Sequence, residues 1–242
     1  MRKKFFAICV LFLFSIFTPP AQGADIHDFN EGVSEAYKAY REAMFYLRTG
    51  NPAVASFELE KLDERWKAVV KRFADKSPDV FSRDPAWRKT LLKISERTTK
   101  GLQAAIDGDA KAANKHLKPI RKILSDLRRR NGVSNFSDCI DQANAAFNKL
   151  NKYRKNPPDF GSEKELDTLR QKLSVTIFWY ERCWDTAPPA IGANPEFKRL
   201  MKTSLYSLSR IWVAIASKDK KILTSNLAGL SSSDKILYLR FG

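Results

Sequence analysis

Residues 72–87, RFADKSPDVFSRDPAW, return 110 positions later as residues 182–197, RCWDTAPPAIGANPEF. Arg72, Asp75, Pro78 and Pro85 are matched by Arg182, Asp185, Pro188 and Pro195. The same offset holds outward from this stretch, pairing Asp109, Lys111, Leu117, Leu127, Arg130 and Gly132 with Asp219, Lys221, Leu227, Leu237, Arg240 and Gly242. What recurs is punctuation. A unit of about a hundred residues is too long for a solenoid repeat and right for a small domain.

Between the breakers, apolar residues recur at helical spacing. Val33, Tyr37, Tyr40, Met44 and Leu47 draw one stripe along a helix of about 28–49, ended by Gly50. Asn51 and Pro52 supply an N-cap and a first-position proline for a second helix, whose stripe runs through Leu59, Leu62, Trp66, Val69, Val70 and Phe73 to about residue 75. Asp84-Pro85 repeats that signal for a third helix carrying Trp87, Leu91, Ile94, Leu102 and Ile106, with Gly108 as its left-handed end. Asp109 starts a fourth, which Pro119 should kink.

The second unit follows the same plan. A helix of about 136–153 stops before Asn156-Pro157-Pro158, and Ser162 with Glu165 spells a capping box for the next, which runs to about 185. Asn194-Pro195 matches Asp84-Pro85 and opens a helix with Phe197, Met201, Leu205, Leu208, Trp212 and Ile215 on its stripe. The last carries Ile222, Leu227, Leu230, Leu237 and Leu239 and is weakened by Ser231-Ser232-Ser233. Four amphipathic helices with mostly short connections per unit imply antiparallel neighbours. The expected fold is therefore all-α: two tandem up-and-down four-helix bundles, residues 24–133 and 134–242, with one continuous helical array as the alternative.

Residues 1–23 stand apart. Arg2, Lys3 and Lys4 precede the apolar stretch Phe5 to Phe17, and Ala21-Gln22-Gly23 offers small residues for cleavage. This is the pattern of a signal peptide, so a periplasmic or secreted location is expected; the apolar run falls short of the roughly 18 to 20 residues of a membrane span. The chain has 43 Lys+Arg against 27 Asp+Glu, and losing the three leader cations leaves 40 − 27 = +13. Such a surplus favours an acidic protein or an anionic membrane surface, and export makes nucleic acid an unexpected partner. The densest basic segments are Arg128-Arg129-Arg130 and the run containing Lys149, Lys152, Arg154 and Lys155. Both are expected near the junction of the two units, where they would form one basic face, unless they only complete helix ends.

Cys9 leaves with the leader, so Cys139 and Cys183 remain. One falls in the first turn of the second unit's first helix and the other in the last turn of its second, so an antiparallel hairpin brings them to the same end. Export supplies oxidising conditions for a bridge, and two free buried thiols are the alternative. Phe73 stands where the offset places Cys183, so apolar packing replaces the bridge in the first unit.

Chemistry is scarce by comparison. His27 and His116 are the only histidines, neither within a motif, and no Cys-x-x-Cys, Glu-x-x-His or glycine-rich phosphate loop occurs. A non-enzymatic protein without cofactor or metal is expected. Met44 on the first helix and His116 on the fourth would nevertheless come to one end of an up-and-down core. In that respect the first unit resembles the exported four-helix bundles of the cytochrome b562 and cytochrome c′ group, here duplicated and without the haem-attachment motif. The resemblance implies a haem-binding carrier or sensor with Met44 and His116 as ligands. The residues themselves favour an exported binding or scaffold protein that recognises an anionic partner through basic faces.

Overall fold

The computed structural model describes residues 22–242; the expected leader lies outside them except for its last two positions. The described chain is all-α, with no strand among the described residues. Its helices are α1 (Gln22–Arg48), α2 (Pro52–Phe73), α3 (Trp87–Ile106), α4 (Ala110–Leu117), α5 (Pro119–Arg130), α6 (Phe136–Leu150), α7 (Glu163–Asp185), α8 (Pro189–Gly192), α9 (Pro195–Ala216) and α10 (Lys220–Arg240), with short 3-10 turns at Asp79–Phe81 and Asn151–Arg154.

Capping side chains fix most of these starts by satisfying otherwise orphaned amides. Asn51 accepts from the Val54 amide at 3.2 Å, Asp109 from Ala112 at 2.8 Å, and Asn194 from Glu196 and Phe197 at 2.9 and 3.1 Å. Asp219 accepts from Lys221 and Ile222 at 2.7 and 3.0 Å. Pro119 divides the fourth helix of the first half into α4 and α5, as a proline that lacks an amide hydrogen must.

Four local expectations change. The third helix begins at Trp87 rather than Pro85, because Asp84 closes a turn through the Ala86 amide at 3.0 Å while Arg130 and Asn131 occupy its other oxygen. Ser162 caps α7, but Glu165 reaches the Asp159 amide at 2.8 Å instead of completing a reciprocal box. The helix expected over 136–153 is α-helical only to Leu150. Finally, α10 runs unbroken through the serine triplet: Ser231 and Ser233 are buried, and α10 packs along α9, where Gly229 lies close to the buried Ser207.

Packing forms two cores. In the first half α1 lies on α2, α2 on α3, and α3 on α4 and α5, while α4 closes back on α1. Trp66 and Trp87 are buried there with their indole N–H groups donating to the carbonyls of Leu91 and Phe73 at 3.0 and 2.7 Å. In the second half α6 lies on α7, α7 on α9, α9 on α10, and α10 closes back on α6. Trp212 and Ile106, expected on core stripes, are 39% and 58% exposed; the burying faces of α9 and α3 pass through Ile211 and Ala105 instead.

The bridge is present: Cys139 and Cys183 form a disulfide with Cα atoms 5.7 Å apart. The offset of 110 maps these cysteines onto Phe29 and Phe73, which pack edge to face with centroids 5.4 Å apart. One half therefore closes this end by aromatic burial and the other by a covalent link.

Candidate functional site

The two basic segments lie apart. They sit at opposite ends of α6, whose 15 residues separate them by about 22 Å, so they do not share a face at the junction. Within the arginine triplet Arg129 and Arg130 remain exposed, Arg129 paired with Asp126. Arg128 turns inward and donates from Nε and Nη2 to the two carboxylate oxygens of Asp138, at 2.8 and 2.7 Å. Arg130 donates to Asp84, whose side chain is only 2% exposed, and to the Thr90 hydroxyl at 2.7 Å. Although burial works against them, these guanidinium contacts hold the Asp84 and Asp138 carboxyls below their ordinary values. All three arginines of the triplet are thus ion-paired within the chain, Arg128 largely buried and Arg129 and Arg130 exposed.

The other segment is different. Lys149, Lys152, Arg154 and Lys155, at the end of α6 and on the 3-10 turn after it, are exposed and form no ion pair among the described residues.

Asp138 also joins the halves. It completes a reciprocal cap with Asn135 at the start of α6, accepting from the Asn135 amide at 3.0 Å while Asn135 accepts from its own. The chain reaches this point from α5 through Gly132, whose φ of 69° needs a residue without a Cβ. Beside this link Arg121 of α5 crosses to the second half. Its side chain is 8% exposed, ion-paired to Asp141, donating from Nη1 to the Tyr238 carbonyl at 2.6 Å and lying 3.4 Å over the Tyr238 ring. Burial raises the Asp141 carboxyl despite that guanidinium.

Around Arg121 a cleft of about 370 Å³ opens between the halves, bordered by α1, α5, the 133–137 link, α8 and Phe241. Its walls are mainly apolar. Arg41 and Tyr37 of α1 also line it, and burial foremost pushes the Tyr37 phenol up to about 12, so it remains neutral. Tyr37 lies on the apolar stripe read from the sequence, but Arg41, Arg121 and Asp141 do not stand out there. Arg121 carried a signal: it follows Leu117 by four residues and precedes Leu124 by three, a charge set within an apolar stripe.

The candidate haem ligands do not line this cleft. Met44 is half-buried against the first core, and His116 is half-buried in the last turn of α4 with its carbonyl accepting from Arg97 at 3.3 Å. Leu47 and Leu117 are buried in the same first core. The described residues do gather His27, Asp28 and Glu31 within 4.8 Å at the exposed start of α1, where Asp28 is already paired with Arg72. Among the described residues no helix is long and apolar enough to cross a membrane. Compared with protein-family models, curated proteins and solved structures, the chain matches none of them.

Proposed function

We propose that this chain is an exported, non-enzymatic helical binding protein that recognises an acidic protein surface, and that its halves are tandem up-and-down four-helix bundles of residues 24–133 and 134–242 derived from one duplicated unit. The observation that carries the recognition is the group Lys149, Lys152, Arg154 and Lys155: four exposed cations at one helix end without internal counterions. Exposed charges without partners attract an anionic surface at little desolvation cost and steer its approach. An acidic protein is favoured over a lipid surface because the large exposed apolar side chains, such as Phe57, Phe178 and Tyr206, lie on other elements and would not enter a bilayer with this group. The duplication is supported by the two separate cores and by matched backbone at Pro78 and Pro188, with φ, ψ of −56°, 151° and −55°, 150°.

Immobilised poly-glutamate tests the reading, with phosphatidylglycerol vesicles as a second arm. Binding to poly-glutamate should fall steeply between about 50 and 500 mM salt, as screening shortens from roughly 14 to 4 Å. Changing Lys149, Lys152, Arg154 and Lys155 to Glu should abolish it. Full retention by that variant at low salt would overturn the proposal, and capture by vesicles alone would replace the acidic protein with a membrane.

A further inference from the structure

The cleft between the halves combines apolar walls with an uncompensated positive charge. Val33, Leu124, Val133, Phe136, Ile191 and Phe241 contribute the apolar surface, and the volume of about 370 Å³ is that of a small-molecule site. Three guanidinium groups line the cleft, and two carboxylates answer them: Asp141 on Arg121 and Asp138 on Arg128. Arg41 forms no ion pair among the described residues and leans on the Tyr37 ring, 5.5 Å from its centre. Burial disfavours the Arg41 charge and lowers its pKa. Arg121 lines the same cleft with a side chain only 8% exposed and already committed to Asp141 and the Tyr238 carbonyl.

We propose that the cleft binds a small amphipathic monocarboxylate, its apolar body between α1, α5 and α8 and its carboxylate on Arg41. One negative charge balances the one unanswered guanidinium. A neutral ligand of the same shape leaves that charge unanswered; a cationic one adds repulsion. This site is independent of the cations at the end of α6.

Isothermal titration of the full-length, oxidised protein with decanoate tests it, with decan-1-ol and decyl phosphate as shape-matched controls. Decanoate should bind saturably at one site, and decanol at least about ten-fold more weakly. Arg41→Gln should cost decanoate at least about ten-fold and leave decanol unchanged, whereas Ile191→Trp, which fills the apolar part, should abolish binding of both. Circular dichroism matched to the parent separates these losses from unfolding, and if Arg41→Gln does not fold, the Ile191 variant decides. Equal affinity for decanoate and decanol, no saturable binding, or decanoate binding unchanged in the folded variants would overturn the proposal. Tighter binding of decyl phosphate would overturn the assignment to a monocarboxylate. The variant with four cations reversed at the end of α6 should bind decanoate normally, so the two proposals fail separately.

Discussion

Asp234 occupies the position that Leu124 holds in the first half, and both are buried, at 4% exposure each. A carboxylate is tolerated in that core because the Tyr180 hydroxyl and the Asn144 amide both donate to it at 2.6 Å. Burial outweighs these donors and raises the Asp234 carboxyl above its ordinary 3.8. A raised acid favours the folded state most when protonated, so its contribution is full below the unfolded value and is lost as pH rises through the folded one. In urea titrations the stability of the parent relative to Asp234→Asn should therefore fall from about pH 4 upward and then level off; a relative stability that rises over this range would contradict the assignment. Tyr180→Phe removes one of the two donors and should cost about 1 to 3 kcal/mol. From the sequence Asp234 is one acid on a serine-rich helix. Its partners come from α6 and α7, residues 90 and 54 positions away, so no local pattern could have announced the network.

At the scale of elements the repeat predicts well where the determinant is local. Gly108 and Lys218 occupy equivalent helix ends with φ of 80° and 54°, followed in each case by an aspartate whose amide returns to the helix, Asp109 to Ala104 at 2.8 Å and Asp219 to Ala214 at 2.9 Å. The turn demands a left-handed residue in both halves, and only one half supplies glycine. Lys218→Gly should accordingly stabilise the protein by about 0.5 to 1 kcal/mol, the steric relief being partly offset by chain entropy, whereas Gly108→Ala should destabilise it by a similar amount. Chemical denaturation of both variants checks the pair, and a loss of stability in Lys218→Gly would contradict it. Asp84-Pro85 and Asn194-Pro195 mark the limit of such reasoning. Both spell a cap followed by proline, yet only Asn194 caps a helix at that point. Asp84 serves Arg130 and Asn131 from 46 and 47 residues away, and that distant claim moves the helix start by two residues.

Over the whole molecule, the halves hold themselves by different means at the same place. The Cys139–Cys183 bridge closes a loop with a sequence separation of 44, worth roughly 4 kcal/mol on the chain-entropy model. The Phe29–Phe73 pair works instead through burial, joined by contacts of Phe29 with Phe81 and Trp87. Cys183→Ala should therefore weaken the second half by about 2 to 4 kcal/mol. Hydrogen exchange would show it as lost protection in α6 and α7 with α2 and α3 little changed, and equal loss in both halves would show that the cores unfold as one. Between the halves the ion pairs of Arg121 with Asp141 and Arg128 with Asp138 hold one relative placement.

By itself the sequence determined the all-helical class, the breaks between most helices, the proline division of α4 from α5 and the placement of the two cysteines at one end of a hairpin. Apolar periodicity, caps, prolines and a helical hairpin all act over short stretches of chain. Only the tertiary structure decided which charges are surface. Arg128 looks like its neighbours Arg129 and Arg130 in sequence, but Asp138 folds back onto it and draws it inward, and Arg121 is buried because Asp141 and Tyr238 come from the other half. A charge is buried or exposed according to the partner that reaches it, and that partner is chosen by how the two cores meet.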